Sequence, residues 1–118
     1  MNSRADQMGV YSGNTIELWT FWQVKAIPSR PLSLMAHLVR PDGTLIAVGD
    51  GLGVPIDQWR PGDVIVQRHR LSVPPEAPPG RYSIEVGAYW LDTLERWPTR
   101  DENGSNDRLL LTWVEVLD

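Results

Sequence analysis

The sequence predicts an all-β sandwich of about seven antiparallel strands, and three observations predict it. Short runs rich in Val, Ile, Leu, Trp and Tyr recur between turn signals, at the roughly 8–12-residue spacing of a sandwich or barrel. Ten prolines and ten glycines gather in clusters, among them Pro41 to Gly43, Gly49 to Pro55, Pro61 to Gly62 and Pro74 to Gly80, where a chain turns. No stretch carries the 3.6-residue periodicity of a long helix.

A chain of 118 residues buries roughly two-thirds of its unfolded surface, enough for one self-sufficient core. Residues 1–14 read as a flexible N-terminal segment and residues 15–118 as a single β-sandwich domain. The first strand, Thr15 to Lys25, sets Ile16, Leu18, Trp22 and Val24 against Glu17, Trp19, Phe21, Gln23 and Lys25. That alternation is the period of a half-buried strand. Leu32 to Val39 places Leu32, Leu34, Ala36 and Leu38 opposite Ser33, Met35, His37 and Val39, with apolar residues on both sides. Arg40-Pro41-Asp42-Gly43 has proline where φ is pre-set and glycine where positive φ is free, a hairpin turn into Leu45 to Gly49. Asp63 to Val73, Arg81 to Leu91 and Leu109 to Leu117 supply the remaining strands, and VPPEAPPG, Val73 to Gly80, reads as an extended crossover.

Tyr82 follows the turn Pro79-Gly80 and opens a strand with Ile84 and Val86 at alternate positions. This is the sequence form of a tyrosine corner, whose phenol hydroxyl bonds backbone across a crossover. Ile84 stands where an immunoglobulin domain has its second Cys, and Trp22 is the expected core Trp. The sandwich is therefore immunoglobulin- or fibronectin-III-like, with packed aliphatics in place of the disulfide.

The series Phe21-Trp22, His37-Leu38, Pro41-Asp42-Gly43, Asp50, Trp59-Arg60-Pro61-Gly62-Asp63, Pro78-Pro79-Gly80-Arg81-Tyr82, Val86-Gly87-Ala88-Tyr89 and Arg96-Trp97-Pro98 spans most of the chain. In order and spacing it resembles the extracytoplasmic β-sandwich domain at the C-terminus of multi-spanning bacterial glycosyltransferases of the protein-mannosyltransferase-like class. The resemblance implies an accessory module on the extracytoplasmic face of the bacterial membrane. It would be part of a larger protein, partnered in cis by the transmembrane glycosyltransferase domain, with no catalytic residues or cofactor of its own. The chain departs from the pattern in lacking a transmembrane part and a turn glycine after Tyr89-Trp90, where Leu91-Asp92-Thr93-Leu94 stands.

A formal charge of −4 removes the basic face that nucleic-acid binding requires. The opening residues Met1 to Gly13 hold no apolar core for a signal peptide, and no window approaches the roughly 20 apolar residues of a membrane helix. Zero Cys excludes a disulfide scaffold, a thiolate metal site and a cysteine nucleophile. His37 and His69 are the only imidazoles; they fall on different strands with no carboxylate at a fixed neighbouring position, so hydrogen-bonded strand histidines are expected. No phosphate loop, His-Glu-x-x-His or Gly-x-Ser-x-Gly motif occurs, and the domain is not expected to be an enzyme.

Asp101, Asn103, Ser105 and Asp107 alternate oxygen side chains as calcium loops do. The loop lacks the closing bidentate Glu and the glycine at its sixth position, so a solvated hairpin tip is expected and no metal. Six Trp exceed what a small sandwich buries. Aromatic rings stack on sugar faces while charged neighbours bond hydroxyls, and the same rings can dock a partner. The candidate ligand-binding set is His37, Asp50, Trp59, Trp90, Asp92, Arg96 and Trp97, with a glycan as the candidate ligand. The contrasting expectation is a docking and spacer module, in which Trp59 and Trp97 cap the sandwich ends. Arg68 and Arg70 share one strand face; they suit either phosphate or cross-strand pairing with Glu85 or another carboxylate.

Overall fold

The computed structural model describes residues 9–101, 104–106 and 108–117, with 55% of these described residues in strands and 3% in helix. The strands are β1 (Gly9–Tyr11), β2 (Thr15–Gln23), β3 (Leu32–Val39), β4 (Leu45–Val48), β5 (Val64–Ser72), β6 (Gly80–Trp90), β7 (Thr99–Asp101), β8 (Gly104–Asn106) and β9 (Leu109–Leu117). Five form one sheet in the order β1-β9-β6-β3-β4, β2 pairs with β5 in the facing sheet, and β7 with β8 makes a separate hairpin. This is an all-β, immunoglobulin-like sandwich. No helix among the described residues is long and apolar enough to cross a membrane.

The alternation in β2 becomes burial: Ile16, Leu18 and Thr20 face in while Glu17, Trp19, Phe21 and Gln23 face out. Every residue of β3 is buried, because its even positions meet the facing sheet and its odd positions are covered on the other side. Leu38, Leu71, Ile84, Val114 and Val116, all fully buried, join Ile16, Leu18 and Tyr82 in the principal core. Each such aliphatic side chain stabilises the fold by about 1.5–3 kcal/mol through area removed from water.

Three expectations are corrected. The sandwich starts before Thr15, since β1 runs parallel to β9 with Gly9 beside Glu115; alternate Val10 packs on the core. The proline-rich crossover is not continuously extended, for a turn at Pro75 and Glu76 is closed by the Ala77 N–H on the Pro74 carbonyl at 3.1 Å. Trp22 is only half-buried, and the tryptophan sealed inside is Trp59, 6% exposed.

The corner and the hairpin form as the residues require. Tyr82, 2% exposed, donates its hydroxyl to the Pro78 carbonyl at 2.6 Å just after Gly80 opens β6. Gly43 takes φ +91° between β3 and β4, and its N–H bonds the Arg40 carbonyl at 2.9 Å. Beyond β6 the chain doubles back on itself: Leu94 N–H bonds the Trp90 carbonyl, Trp90 N–H bonds the Glu95 carbonyl, and Trp97 N–H bonds the Ala88 carbonyl. Leu94 supplies the missing turn glycine's conformation at φ +63°, a left-handed geometry costly for a side-chain-bearing residue. That reversal fixes where Trp90 and Trp97 stand.

Candidate functional site

Four tryptophans converge at one end of the sandwich. Trp22 lies near the end of β2, Trp59 follows a 3-10 turn at Ile56–Gln58, Trp90 closes β6, and Trp97 sits on the returning segment. With Val24 and Leu32 they wall a pocket of about 420 Å³. Trp59 anchors it by donating its indole N–H to the Val54 carbonyl at 2.9 Å. Trp90 and Trp97 stand against each other with ring centroids 4.8 Å apart at 48°. The Trp97 Nε1 is buried and meets no hydrogen-bond partner among the described residues. Of the other two, Trp19 is exposed on β2 and Trp113 lies beneath the Arg81 guanidinium at 4.7 Å.

The rim is charged. Arg30 sits 4.5 Å over the Trp90 ring and forks onto Asp92, with Nη2 to Oδ1 at 2.6 Å and Nε to Oδ2 at 3.1 Å. That bond holds the Asp92 carboxyl below and the Arg30 guanidinium above its ordinary range. Glu95, Arg96 and Pro98 with the same Trp90 and Trp97 border a second depression of about 400 Å³. One aromatic pair thus serves two spaces, an apolar pocket and an open shelf with charged neighbours.

His37 and Asp50 belong to a different place, the outer face of the five-stranded sheet. Asp50 receives the Ala36 N–H at 3.1 Å, the Tyr89 hydroxyl at 3.0 Å, and lies 3.2 Å from His37 Nε2. Burial alone would raise its carboxyl; the bond and charge of His37, with the Tyr89 and Ala36 donors, outweigh it and hold the group below its usual range. A carboxylate depressed in the folded state stabilises the fold above its ordinary value of about 3.9, and that contribution is lost as pH falls through the lowered one. We expect wild-type protein to lose more urea resistance than Asp50→Asn between about pH 4.5 and 2.5. Parallel pH profiles would refute the assignment. Arg96 borders both this cluster and the tryptophan shelf.

The remaining candidates are structural by their contacts. His69, 1% exposed, places Nδ1 2.7 Å from the Gly49 carbonyl and Nε2 2.7 Å from Thr20 Oγ1, which also accepts the Trp22 indole N–H at 2.7 Å. Arg68 and Arg70 pair with Glu17, at 2.8 and 3.6 Å, because the β2–β5 register sets Glu17 opposite Arg70 and diagonal to Arg68. Glu85 is instead held by Arg108 at 3.1 Å. The calcium candidate Asp101, Asn103, Ser105 and Asp107 lies outside the described side chains; only the paired backbone of Asp101 with Gly104 and of Arg100 with Ser105 is described there.

From the sequence set, then, Trp59, Trp90, Asp92, Arg96 and Trp97 come together, and His37 with Asp50 stands apart. Sequence reasoning missed Arg30, whose partner Asp92 lies 62 residues away. It also left Trp22 out of the site, although continuing the inward face of β2 to its end would have carried that ring there. Neither a scan against protein-family models nor a search of curated proteins finds a match to this chain.

Proposed function

We propose that the domain is a non-catalytic accessory module of an extracytoplasmic membrane glycosyltransferase and that it recognises a glycan at the Trp90–Trp97 shelf. The observation that supports this reading is the pair of indoles standing together with Arg30, Asp92, Glu95 and Arg96 around them. Indole faces stack on the C–H faces of sugar rings, and a fixed carboxylate and guanidinium bond hydroxyls at their edges. The membrane context comes from the sequence resemblance.

A saccharide panel titrated by tryptophan fluorescence and amide NMR tests it. Trp90→Ala is expected to weaken the best ligand at least tenfold, about 1.4 kcal/mol, while Trp19→Ala on the opposite sheet changes nothing. A panel that produces no saturable shift in folded protein refutes the reading.

A second reading has its own observation. On the outer face of β2 and β5, Trp19, Phe21, Val64 and Val66 are all exposed, and among the described residues β2 pairs with β5 alone. A spacer pressed against the enzyme in cis would cover that face. Amide exchange at Trp19 to Phe21, slower in the full-length enzyme than in the isolated domain, would support docking; equal exchange would exclude it.

A further inference from the structure

We propose that the free edge of β2 is a dimerisation seam: it pairs antiparallel with β2 of a second copy of this chain, about a twofold axis at Thr20, and joins two β2–β5 ladders into one four-stranded sheet. The edge is open in a definite pattern. Val24 N–H bonds the Asp63 carbonyl at 2.8 Å, and the Asn14 carbonyl takes the Val73 N–H at 2.9 Å, so even-numbered residues at both ends of the strand face β5. By antiparallel alternation the N–H and C=O groups of Glu17, Trp19, Phe21 and Gln23 point the other way, where no described strand pairs with them. Other edges of the fold are blunted. β1 and β4 run only three and four residues, and β4 meets β3 across a register shift at Leu38 and Val39. Beside β5, the Arg68 carbonyl takes the Gln67 side-chain amide at 2.8 Å and Gly49 packs on the Arg70 backbone. β2 has nine residues in unbroken register with β5, no proline and no inward-facing charge, so it lacks the devices that keep an edge from pairing.

The side chains along this edge fit a second copy of themselves. With the axis at Thr20, Trp19 stands opposite Phe21 of the second copy and Phe21 opposite its Trp19, so two aromatic cross-strand pairs form. Glu17 stands opposite Gln23 of the second copy and diagonal to its Lys25, the only lysine in the chain. Aromatic pairs and opposite charges at these positions favour a ladder, and no charge meets its like. Trp19 and Phe21 are 50% and 70% exposed, and pairing withdraws part of that apolar area from water. Beneath the same edge Trp22, Val86, Leu109 and Leu111 line an apolar groove of about 400 Å³. The twofold sets the two grooves side by side, so one association shelters both. Because each copy spends its β2 edge on the other, the assembly closes at two. The seam needs neither a glycan nor an enzyme contact, so it stands or falls apart from both readings above.

Sedimentation equilibrium of the chain, from micromolar to submillimolar concentration, should show a reversible equilibrium between monomer and dimer. Trp19→Lys puts a charge on the edge in place of two aromatic contacts and should weaken the dimer at least tenfold. Val48→Lys, at an exposed position of β4, should leave it unchanged within about twofold. Isotope-filtered NOEs in a mixture of labelled and unlabelled wild-type protein should join the single phenylalanine ring of one copy to Trp19 of the other, and these decide the matter should Trp19→Lys not fold. A chain that stays monomeric throughout, a dimer that Trp19→Lys leaves intact, or NOEs that place Phe21 against other residues would overturn the proposal. So would slow exchange of the Trp19 and Phe21 amides in the monomer, which would mean that the edge is already paired within one chain.

Discussion

Gly49→Ala is expected to destabilise the domain by about 3 kcal/mol, one of the two largest single-residue effects the structure predicts. A Cβ built on Gly49 would lie 2.6 Å from the Arg70 carbonyl oxygen and 3.1 and 3.2 Å from its carbonyl carbon and amide nitrogen. All three are backbone atoms, so no side chain can swing aside to make room. Gly49 is not among the residues at positive φ; the demand is for space, where the chain leaving β4 passes against β5. Its N–H bonds the Ala36 carbonyl at 2.8 Å and its own carbonyl accepts from His69, so one residue fastens the two sheets. Forcing them apart would strain both bonds. Gly51→Ala is the control, because its Cβ would meet only the Gln67 amide at 3.6 Å, and it should stay within about 1 kcal/mol of wild type. Urea denaturation of both variants decides, and equal midpoints would mean the sheets do not touch at Gly49.

That close approach was not legible in the sequence, whereas most of the framework was. Alternation in Thr15 to Lys25, the Pro-Asp-Gly turn and the Tyr82 corner are local signals, each carried by neighbouring residues whose geometry forces one outcome. The resulting strands differ from expectation only at their ends. β1 escaped because three residues, Gly9 to Tyr11, are too few to show a period, and their strand conformation depends on β9 at the other end of the chain. Glycine at position 49 looked like one more turn residue; its reason is a carbonyl 21 positions away.

The site divides in the same way. Trp90, Asp92, Arg96 and Trp97 were legible as a group because they sit within eight residues on one reversal of the chain. Trp59 and Trp22 arrive from the facing sheet and its entry turn, and Arg30 from the loop before β3. Nothing local marks them as neighbours of Trp90. Asp50 was grouped with them by residue type alone, and the sheet separates it: Leu34 bridges Gly51, which turns the Asp50 carboxylate to the outer face where Tyr89 and His37 also point.

His69→Leu is the other variant expected to cost about 3 kcal/mol, for a reason opposite to that of Gly49→Ala: the volume is nearly kept and the bonds are lost. A carbonyl can only accept and an indole N–H can only donate. The arrangement that satisfies every member therefore has His69 Nδ1–H donating to the Gly49 carbonyl. Trp22 Nε1–H donates to Thr20 Oγ1, and the Thr20 hydroxyl donates onward to His69 Nε2. Leucine would leave the Gly49 carbonyl without its donor and the Thr20 O–H without its acceptor in a site only 1% exposed at residue 69, and each unsatisfied buried group costs about 1–3 kcal/mol. The sharper expectation concerns the pair. Thr20→Val removes the hydroxyl that His69→Leu orphans, so the double variant should be less destabilised than the sum of the two singles, by about 1 kcal/mol. Strict additivity in urea denaturation would show that the relay does not act as one unit. Because the relay ends on Trp22, its loss should also perturb the indole signal of Trp22 at the pocket wall, while that of Trp113 on the far sheet stays in place. A structural histidine on β5 thereby sets the orientation of one ring of the candidate site.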